Sequence, residues 1–254
     1  MSASADPEPP TPLPPLLRAL AAPRRTAADR ARDAARHPRE TLEFFGVEPT
    51  SRVLELEPGD GYYSRLLGEY LQADTEGRPR ITLLAPFIAP EVFSQPLETG
   101  PLLDRWLDLQ ALSRSFEPPL GLLPGLPLES WSSQRFDVVL GLRVAHVYRA
   151  RGEEVAMYRA VHAALVPGGV FAVIAHRAPA DRLDAGYLAE STVIAAVSAA
   201  GFELSARSDI NANPKDIREY PSGVWSLPPV LKDGPTYAHV GESDRMTLRF
   251  RRLD

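Results

Sequence analysis

The sequence predicts an α/β domain in which a mostly parallel, seven-stranded sheet carries helices on both faces. Three observations indicate this fold: the apolar run 53–56 before a glycine-rich turn, the apolar run 136–142, and the turn LVPGG at 165–169 before another apolar run. Short apolar runs bounded by glycine and proline are typical of strands buried on both faces. The helical spacing of apolar residues between these runs is typical of crossover helices.

The predicted elements alternate along the chain. Glycine and proline mark most of their boundaries, and the longer segments carry the 3.6-residue rhythm of a helix. The predicted strands are 53–56, 81–87, 136–142, 170–175, 202–207 and 245–251, and the predicted helices are 26–45, 62–71, 101–114, 152–166 and 191–200. The third strand cannot be placed in the leucine- and proline-rich segment 116–130.

The stretch RVLELEPGDGYYS at 52–64 indicates a ligand site. A proline and two glycines end the first strand, and a helical pattern begins at Tyr62. Glycines let the backbone approach a ligand, and free N–H groups at the start of a helix face it. We therefore expect a nucleotide-like ligand over this turn. Glu55, near the end of the strand, is placed to accept hydrogen bonds from a cationic or hydroxylated group of that ligand.

The glycine turn, the strand FDVVLGL and the turn LVPGG stand in the order usual for class I S-adenosylmethionine-dependent methyltransferases, which the chain resembles from about Thr26 to Phe250. A closer resemblance is to a subgroup of predicted bacterial methyltransferases whose substrates are poorly defined. It is carried by RDAARHPRETLEFFGV (32–47), INANPKD (210–216), GVWSLPP (223–229) and GESDRMTLRF (241–250). The resemblance implies a Rossmann-like class I methyltransferase fold with an antiparallel last strand, a helical cover over the cofactor cleft, and S-adenosyl-L-methionine as cofactor.

The resemblance places the cofactor over the first two strands. The residues that it implies as cofactor-binding are Glu55, Glu57, Gly59, Asp60, Gly61, Tyr62 and Ala85. In nucleotide-binding α/β folds, an acid at the tip of the second strand usually binds the ribose hydroxyls. Ala85 and Pro86 stand in that region of this chain. Ribose binding must therefore use other groups, or be weak.

The tip of the fourth strand is where class I methyltransferases hold catalytic groups. Arg143, His146 and Tyr148 match the subgroup there and are predicted as catalytic, while Val144 and Val147 replace two asparagines of the subgroup. His146 is the candidate general base, because a histidine can titrate near neutral pH. The alternative is a structural histidine bonded to a nearby carbonyl.

Four further residues are candidate substrate contacts. His176 and Arg177 follow the fifth strand at the same edge of the sheet, and Asn211 and Trp225 lie in the polar excursion 208–243. An irregular segment of this length is uncommon unless it is functional. Structural alternatives remain for three of the four, namely an ion pair for Arg177, an Asx turn for Asn211 and an anchoring role for Trp225.

A dense polar run, Glu242-Ser243-Asp244-Arg245, opens the last strand. Charge of this density at the start of a strand indicates a network of polar contacts. We expect the network to reach the tip of the fifth strand at His176 and Arg177.

The chain is predicted to form a single domain with a short tail. Proline, small and acidic residues dominate 1–16, which predicts a disordered segment. The remainder, 17–254, is predicted to be one methyltransferase-like domain. Within it, 17–50 form the helical cover and 208–243 form an insertion.

Composition excludes several classes of function. The net charge of −5 argues against nucleic-acid binding through a basic surface, and the absence of cysteine excludes disulfides, zinc–thiolate sites and a cysteine nucleophile. No metal-ligand spacing is present, so no metal is predicted. No apolar run approaches the roughly 20 residues of a membrane span. Without a signal-like start, the sequence predicts a cytoplasmic protein with a small-molecule substrate, no nucleic acid or membrane partner, and a homodimer as candidate assembly.

Three functions compete. The first is an S-adenosylmethionine-dependent methyltransferase acting on an unidentified small molecule. The second is a binding protein that keeps the fold and has lost or changed the activity, favoured by the missing ribose acid and by Val144 and Val147. The third is a nicotinamide dehydrogenase, because Gly59-x-Gly61-x-x-Ser64 nearly fits the dinucleotide fingerprint. The turn LVPGG and the strand RMTLRF favour a methyltransferase over a dehydrogenase.

Overall fold

The computed structural model describes residues 13–84, 101–123 and 135–254. The strands in these ranges are β1 (Val53–Leu56), β2 (Ile81–Leu84), β3 (Gly121–Leu123), β4 (Phe136–Leu142), β5 (Leu165–Ala178), β6 (Leu188–Ala189), β7 (Phe202–Ser208) and β8 (Arg245–Arg252). Seven of them follow the order β3-β2-β1-β4-β5-β8-β7, and the two-residue β6 pairs with β5. Neighbours from β3 to β5 are parallel, and β8 is antiparallel to β5 and β7. The predicted α/β fold with an antiparallel last strand is confirmed.

The helices cover both faces of this sheet. Those within the described ranges are α1 (Pro15–Ala21), α2 (Ala27–Ala31), α3 (Asp33–Arg36), α4 (Pro38–Phe45), α5 (Tyr62–Tyr70), α6 (Pro101–Arg114), α7 (Ala145–Ala150), α8 (Glu154–Ala164) and α9 (Glu190–Ser198). None of the described helices is long and apolar enough to cross a membrane.

The core lies in two layers, one on each face of the sheet. Leu54 and Val139 point into a cluster with α7, α8 and α9, while Val53 and Val138 point into a second cluster with α1, α4, α5 and α6. The alternation follows from the two-residue period of a strand. Burial on both faces explains why β4 is apolar at nearly every position, with Asp137 as the exception.

The predicted helix over 26–45 is wrong as a single element, because the structure divides it into α2, α3 and α4. His37, at the junction of α3 and α4, has φ 41° and ψ 55° in the left-handed region. A residue that precedes proline is driven out of the helical conformation by the proline ring. Pro38 therefore ends α3 and starts α4 in a new direction.

The turn LVPGG lies inside a strand rather than before one. β5 already pairs at Leu165 with Phe136, and the register then shifts so that Val170 pairs with Val138. The intervening residues form an irregularity in which Gly168 has φ 72°. The sequence predicted the strand from 170, because a proline and two glycines ordinarily exclude regular pairing.

The N-terminal boundary differs in detail from the predicted tail. α1 begins at Pro15, and Leu16 and Ala19 pack into the cluster that contains α5. Proline is well suited to the first turn of a helix, where its missing N–H would have no partner. Residues 1–12 lie outside the described part of the chain.

Candidate active site

The carboxyl ends of β1, β4 and β5 meet at one edge of the sheet, and a cavity of about 240 Å³ opens there. It is bounded by the turn after β1, the end of β4 and the residues after it, His176 near the end of β5, and part of the excursion 208–243. Six residues predicted from the sequence line it, namely Glu57, Gly59, Arg143, His146, His176 and Trp225. The structure therefore brings together candidates from three groups that the sequence treated separately.

The backbone is strained where β1 and β4 end at this cavity. Glu57 has φ 48° and Arg143 has φ 66°, in the left-handed region that side chains other than glycine rarely adopt. Hydrogen bonds hold both, since the N–H of Glu57 donates to the carbonyl of Leu84 at 3.0 Å and that of Arg143 to the carbonyl of Ile174 at 2.6 Å. Strain of this kind clusters at ligand sites.

Tyr148 lies behind the cavity wall rather than on it. The side chain is buried in the core on α7, and burial together with the carboxylate of Glu57 raises the pKa of its phenol. The phenol therefore stays protonated and forms a hydrogen bond with Glu57. The role that the geometry gives Tyr148 is to position Glu57.

Arg143 presents a guanidinium to the cavity without a carboxylate bound to it. Burial lowers its pKa, while the charge of Glu242 opposes that shift. None of the residues that the structure describes forms a hydrogen bond or an ion pair with this side chain. The guanidinium is available for an anionic ligand.

His146 and His176 form a pair of uncharged imidazoles on the cavity wall. Their ring centroids are 5.4 Å apart. Burial, with a further contribution from Arg143, lowers the pKa of His146 to about 4, and burial also holds the pKa of His176 well below its usual value. His176 Nδ1 lies 2.6 Å from the hydroxyl of Ser243, whereas Nδ1 of His146 is buried with no partner among the described residues. Both rings are neutral at pH 7, and His146 can accept a proton.

Trp225 covers the histidine pair from the excursion. It lies in a 3₁₀ helix, Gly223–Ser226, and its ring centroid is 6.0 Å from that of His146. The 3₁₀ helix packs so closely on the chain at Ala185 that a Cβ on Gly223 would lie 2.3 Å from the carbonyl oxygen of Ala185. The contact at Ala185 therefore anchors the same 3₁₀ helix that places Trp225 in the cavity wall.

Glu242 lines the cavity, although the sequence predicted it only as part of a polar network and not as a site residue. It accepts hydrogen bonds from Arg32 at 2.8 Å, Arg36 at 3.0 Å and Arg245 at 2.8 Å. The signal was the polar run before β8. The expected network is confirmed, since Ser243 contacts His176 and Asp244 binds Arg177.

No protein-family model and no curated protein matches the chain. Solved structures do match. The N-methyltransferase NodS from Bradyrhizobium japonicum WM9 aligns with a TM-score of 0.51 at 12% identity, covering 90% of this chain and 98% of that chain. Human N-acetylserotonin methyltransferase in complex with SAM aligns at 0.53 and 15% identity, covering 90% and 54%. The [4+2]-cyclase SpnF aligns at 0.53 and 18% identity, covering 94% and 92%.

The chain has the class I methyltransferase fold. The structural matches establish the fold, but sequence identities of 12–18% do not establish the reaction. One of these neighbours is a cyclase. The resemblance to one subgroup of predicted bacterial methyltransferases remains a prediction.

Two residues predicted to contact substrate have structural partners in this methyltransferase fold. The Asn211 amide donates to the hydroxyls of Thr41 at 3.2 Å and Thr247 at 3.1 Å. Arg177 forms a two-pronged contact with Asp244, at 3.1 and 3.0 Å. Neither side chain lines the cavity. The ion pair suggested as the alternative for Arg177 is present, whereas Asn211 bonds to remote threonines and its Oδ1 has no partner among the described residues, so the Asx turn suggested for it is not formed.

Glu55 is buried beneath the methyltransferase-type glycine turn. Its carboxyl group accepts a hydrogen bond from Ser64 at 2.7 Å, and burial raises its pKa to about 8. The carboxyl group is therefore largely protonated at neutral pH and does not line the cavity. Ala85, the remaining cofactor candidate, lies outside the described residues.

The helical cover expected of a methyltransferase contacts the glycine turn through α2 and α3. Arg32 forms an ion pair with Asp60 at 2.5 Å, and the phenol of Tyr62 donates to Asp33 at 2.5 Å. Gly61, with φ 78°, is the N-cap of α5. Gly61 and Tyr62 are buried, the side chain of Asp60 is 56% exposed, and none of the three lines the cavity.

Proposed function

We propose that this protein is an S-adenosylmethionine-dependent methyltransferase acting on a small molecule, with the cavity at the ends of β1, β4 and β5 as its active site. The observation that carries the proposal is the strained glycine turn after β1, which faces the strained tip of β4 across one cavity. The likeness to an N-methyltransferase and to a methyltransferase that binds SAM supports it at the level of the fold.

The residues of the turn fit the amino-acid end of that cofactor. Gly59 has φ 62° and no side chain to fill the cavity, and the carboxylate of Glu57 lies on the same wall. A carboxylate beside an open backbone suits the ammonium group of an amino acid, and backbone N–H groups suit its carboxylate. When bound, the cofactor supplies a methyl group activated by a positively charged sulfonium.

The described side chains supply what an in-line displacement requires. The acceptor atom must be held close to the methyl group and aligned with it, in a site that excludes water. Trp225 covers the site, and Arg143 orients an anionic group of the acceptor. His146 accepts the proton that an oxygen or nitrogen acceptor loses. Its low pKa keeps the imidazole unprotonated at neutral pH, at some cost in proton affinity.

Replacing Gly59 with valine should weaken binding of S-adenosylhomocysteine at least 100-fold, because the side chain would occupy the space of the ligand. Calorimetric titration measures the affinity, and circular dichroism checks that the variant is folded. Gly77→Val is the matched control, since Gly77 has a similar φ of 76° but has only open space around it. Unchanged affinity in folded Gly59→Val would exclude the proposed cofactor site.

Replacing His146 with alanine should lower turnover by about 10²–10⁴-fold while changing the affinity for S-adenosylhomocysteine less than threefold. Turnover is measured as S-adenosylhomocysteine release with an acceptor found by screening. The exposed His239, in the same excursion, provides the control His239→Ala, which should change neither quantity. Equal activity in wild type and His146→Ala would remove the general base from the mechanism.

A second candidate is a protein of this fold with a different activity. Val144 and Val147 line the cavity where the subgroup that the chain resembles has amides, and a cyclase is among the structural neighbours. Under this alternative, S-adenosylhomocysteine binds with normal affinity but no acceptor releases it from S-adenosylmethionine. A broad acceptor screen with the wild-type protein separates the two functions.

A further inference from the structure

We propose that the acceptor is a small, mostly apolar acid whose anionic group binds Arg143 and whose apolar body lies against the valines and prolines of the cavity. It carries one hydroxyl or amino group, which takes the methyl group from the sulfonium as S-adenosylhomocysteine leaves and loses its proton to His146. The inference rests on the proposed function, because it names the acceptor class of the same site. It follows from the distribution of charge and apolar surface on the cavity wall.

Of the described side chains that line the cavity, Arg143 alone carries a positive charge. Two carboxylates also lie on the wall. Glu57 interacts with the phenol of Tyr148 and is the group assigned above to the ammonium of the cofactor, and three arginines surround Glu242. Arg143 is partly buried and has no ion-pair partner among the described residues, so an anion that enters the cavity can bind it without displacing another group. A bound carboxylate would supply the missing charge in a two-pronged geometry.

The guanidinium of Arg143 lies close to other charged side chains. Arg32, Arg36 and Arg245 share the carboxylate of Glu242, and Arg32 also pairs with Asp60. Both terminal nitrogens of Arg36 are buried without a partner among the described residues. Positive charge therefore exceeds negative charge at this end of the cavity. The surplus favours an anionic ligand over a neutral or cationic one.

Apolar side chains form much of the remaining cavity wall. Val144 and Val147 line the cavity beside the tip of β4, and Val224, Pro229 and Val230 line it from the excursion. Val230 is 57% exposed, which places an apolar side chain at the mouth. A polar acceptor would leave its hydrogen-bonding groups unpaired against this surface. The wall instead suits a hydrocarbon chain or ring.

The cavity limits the size of the acceptor. Its volume of about 240 Å³ is below the roughly 300–1,000 Å³ of pockets that hold drug-sized ligands, and the acceptor shares it with the amino-acid end of the cofactor at Glu57 and Gly59. Octanoate, an eight-carbon acid, is therefore a suitable probe. Octanamide has the same shape without the charge, so the two molecules separate the contribution of the anion from that of the chain.

The experiment is a calorimetric titration of octanoate and octanamide into the full-length protein saturated with S-adenosylhomocysteine. We expect octanoate to bind wild type at least tenfold more tightly than octanamide, and Arg143→Gln to lose this preference. Arg143→Lys should retain part of it, because it keeps the charge but loses the planar fork. Arg207→Gln, an exposed arginine outside the cavity, is the matched control and should behave as wild type.

A second pair of variants tests the apolar wall. Val147→Asn should weaken octanoate binding about tenfold, whereas Val155→Asn, at a half-exposed valine outside the cavity wall, should leave it unchanged. Equal affinities of wild type for octanoate and octanamide, or no octanoate binding, would overturn the proposal. So would unchanged octanoate binding in Val147→Asn.

A separate titration measures the affinity for the cofactor product. Titration of S-adenosylhomocysteine alone should give the same affinity in wild type and Arg143→Gln. If Arg143→Gln weakens S-adenosylhomocysteine and leaves octanoate unaffected, Arg143 binds the carboxylate of the cofactor, and the acceptor proposal fails while the methyltransferase proposal stands. If S-adenosylhomocysteine does not bind folded wild type at all, the proposed function fails, and the acceptor inference falls with it.

Discussion

Replacing Asp244 with alanine should lower the free energy of unfolding by about 2–4 kcal/mol. Asp244 is 2% exposed and accepts hydrogen bonds from Arg177 at 3.0 Å, Arg218 at 2.6 Å and the N–H of Asn213 at 2.9 Å. The variant would leave two guanidinium groups without their shared carboxylate. They are 24% and 31% exposed, so water recovers part of the loss.

Asp209→Ala is the matched control for this prediction. Asp209 also forms an ion pair with Arg177, at 2.8 Å, but its side chain is 79% exposed. A solvent-exposed pair contributes about 0–1 kcal/mol, so we expect a loss below about 0.5 kcal/mol. Urea denaturation at pH 7 measures both variants. Equal losses for Asp244→Ala and Asp209→Ala would show that the buried contacts of Asp244 contribute no more than an exposed ion pair.

The contribution of Asp244 should depend on pH. Burial alone would raise the pKa of its carboxyl group, but the hydrogen bonds from Arg177, Asn213 and Arg218 hold the pKa below the usual value of 3.8. A group whose pKa is lower in the folded state stabilises the protein above its unfolded pKa and loses that effect as the pH falls. The difference between wild type and Asp244→Ala should therefore shrink below about pH 4.

Replacing Gly223 with alanine should lower the free energy of unfolding by about 2–5 kcal/mol, from backbone strain and overpacking together. Gly223 has φ 58°, and an added Cβ would lie 2.3 Å from the carbonyl oxygen and 2.4 Å from the Cα of Ala185. Backbone atoms cannot rotate away as a side chain can. The excursion would have to separate from residues 183–186, and Trp225 would move from its place over His146.

Gly46→Ala separates the two causes. Gly46 has φ 72° and ψ 33°, in the left-handed region, and nothing within 4 Å of its Cβ position, so only strain applies, about 1–2 kcal/mol. Chemical denaturation followed by circular dichroism compares the two variants, and tryptophan fluorescence reports on Trp225. A loss in Gly223→Ala no larger than in Gly46→Ala would show that the contact at Ala185 contributes nothing to stability.

Two of the stretches that resemble the methyltransferase subgroup form hydrogen bonds with each other through their polar residues. INANPKD at 210–216 and GESDRMTLRF at 241–250 meet where Asn213 donates to the carbonyl of Glu242 at 2.6 Å and Asp216 accepts from the N–H of Asp244 at 2.7 Å. These bonds hold an excursion that has little regular secondary structure. The stretches therefore place the cavity wall, and only a few of their residues reach the cavity.

Local sequence determined the frame of the fold. Each apolar run is a strand because burial on both faces requires continuous apolar residues, and the glycine turn after β1 is readable because few other residues adopt positive φ. Two departures from these patterns could not be predicted from the local sequence. His37 depends on the ring of Pro38, and the irregularity at Gly168 depends on pairing with β4, which no local pattern reveals.

The sequence alone identified Glu57, Gly59, Arg143, His146 and His176 as candidate site residues from their places near strand ends, and the structure brings them into one cavity. Only the tertiary structure decided which polar side chains face that cavity and which bind the protein itself. The deciding partners are remote in the chain: Arg32 binds Glu242 across 210 positions, and Asn211 binds Thr41 across 170. A polar side chain satisfied by such a partner looks the same in the sequence as one left open for a ligand, because hydrogen bonding depends on distance in space.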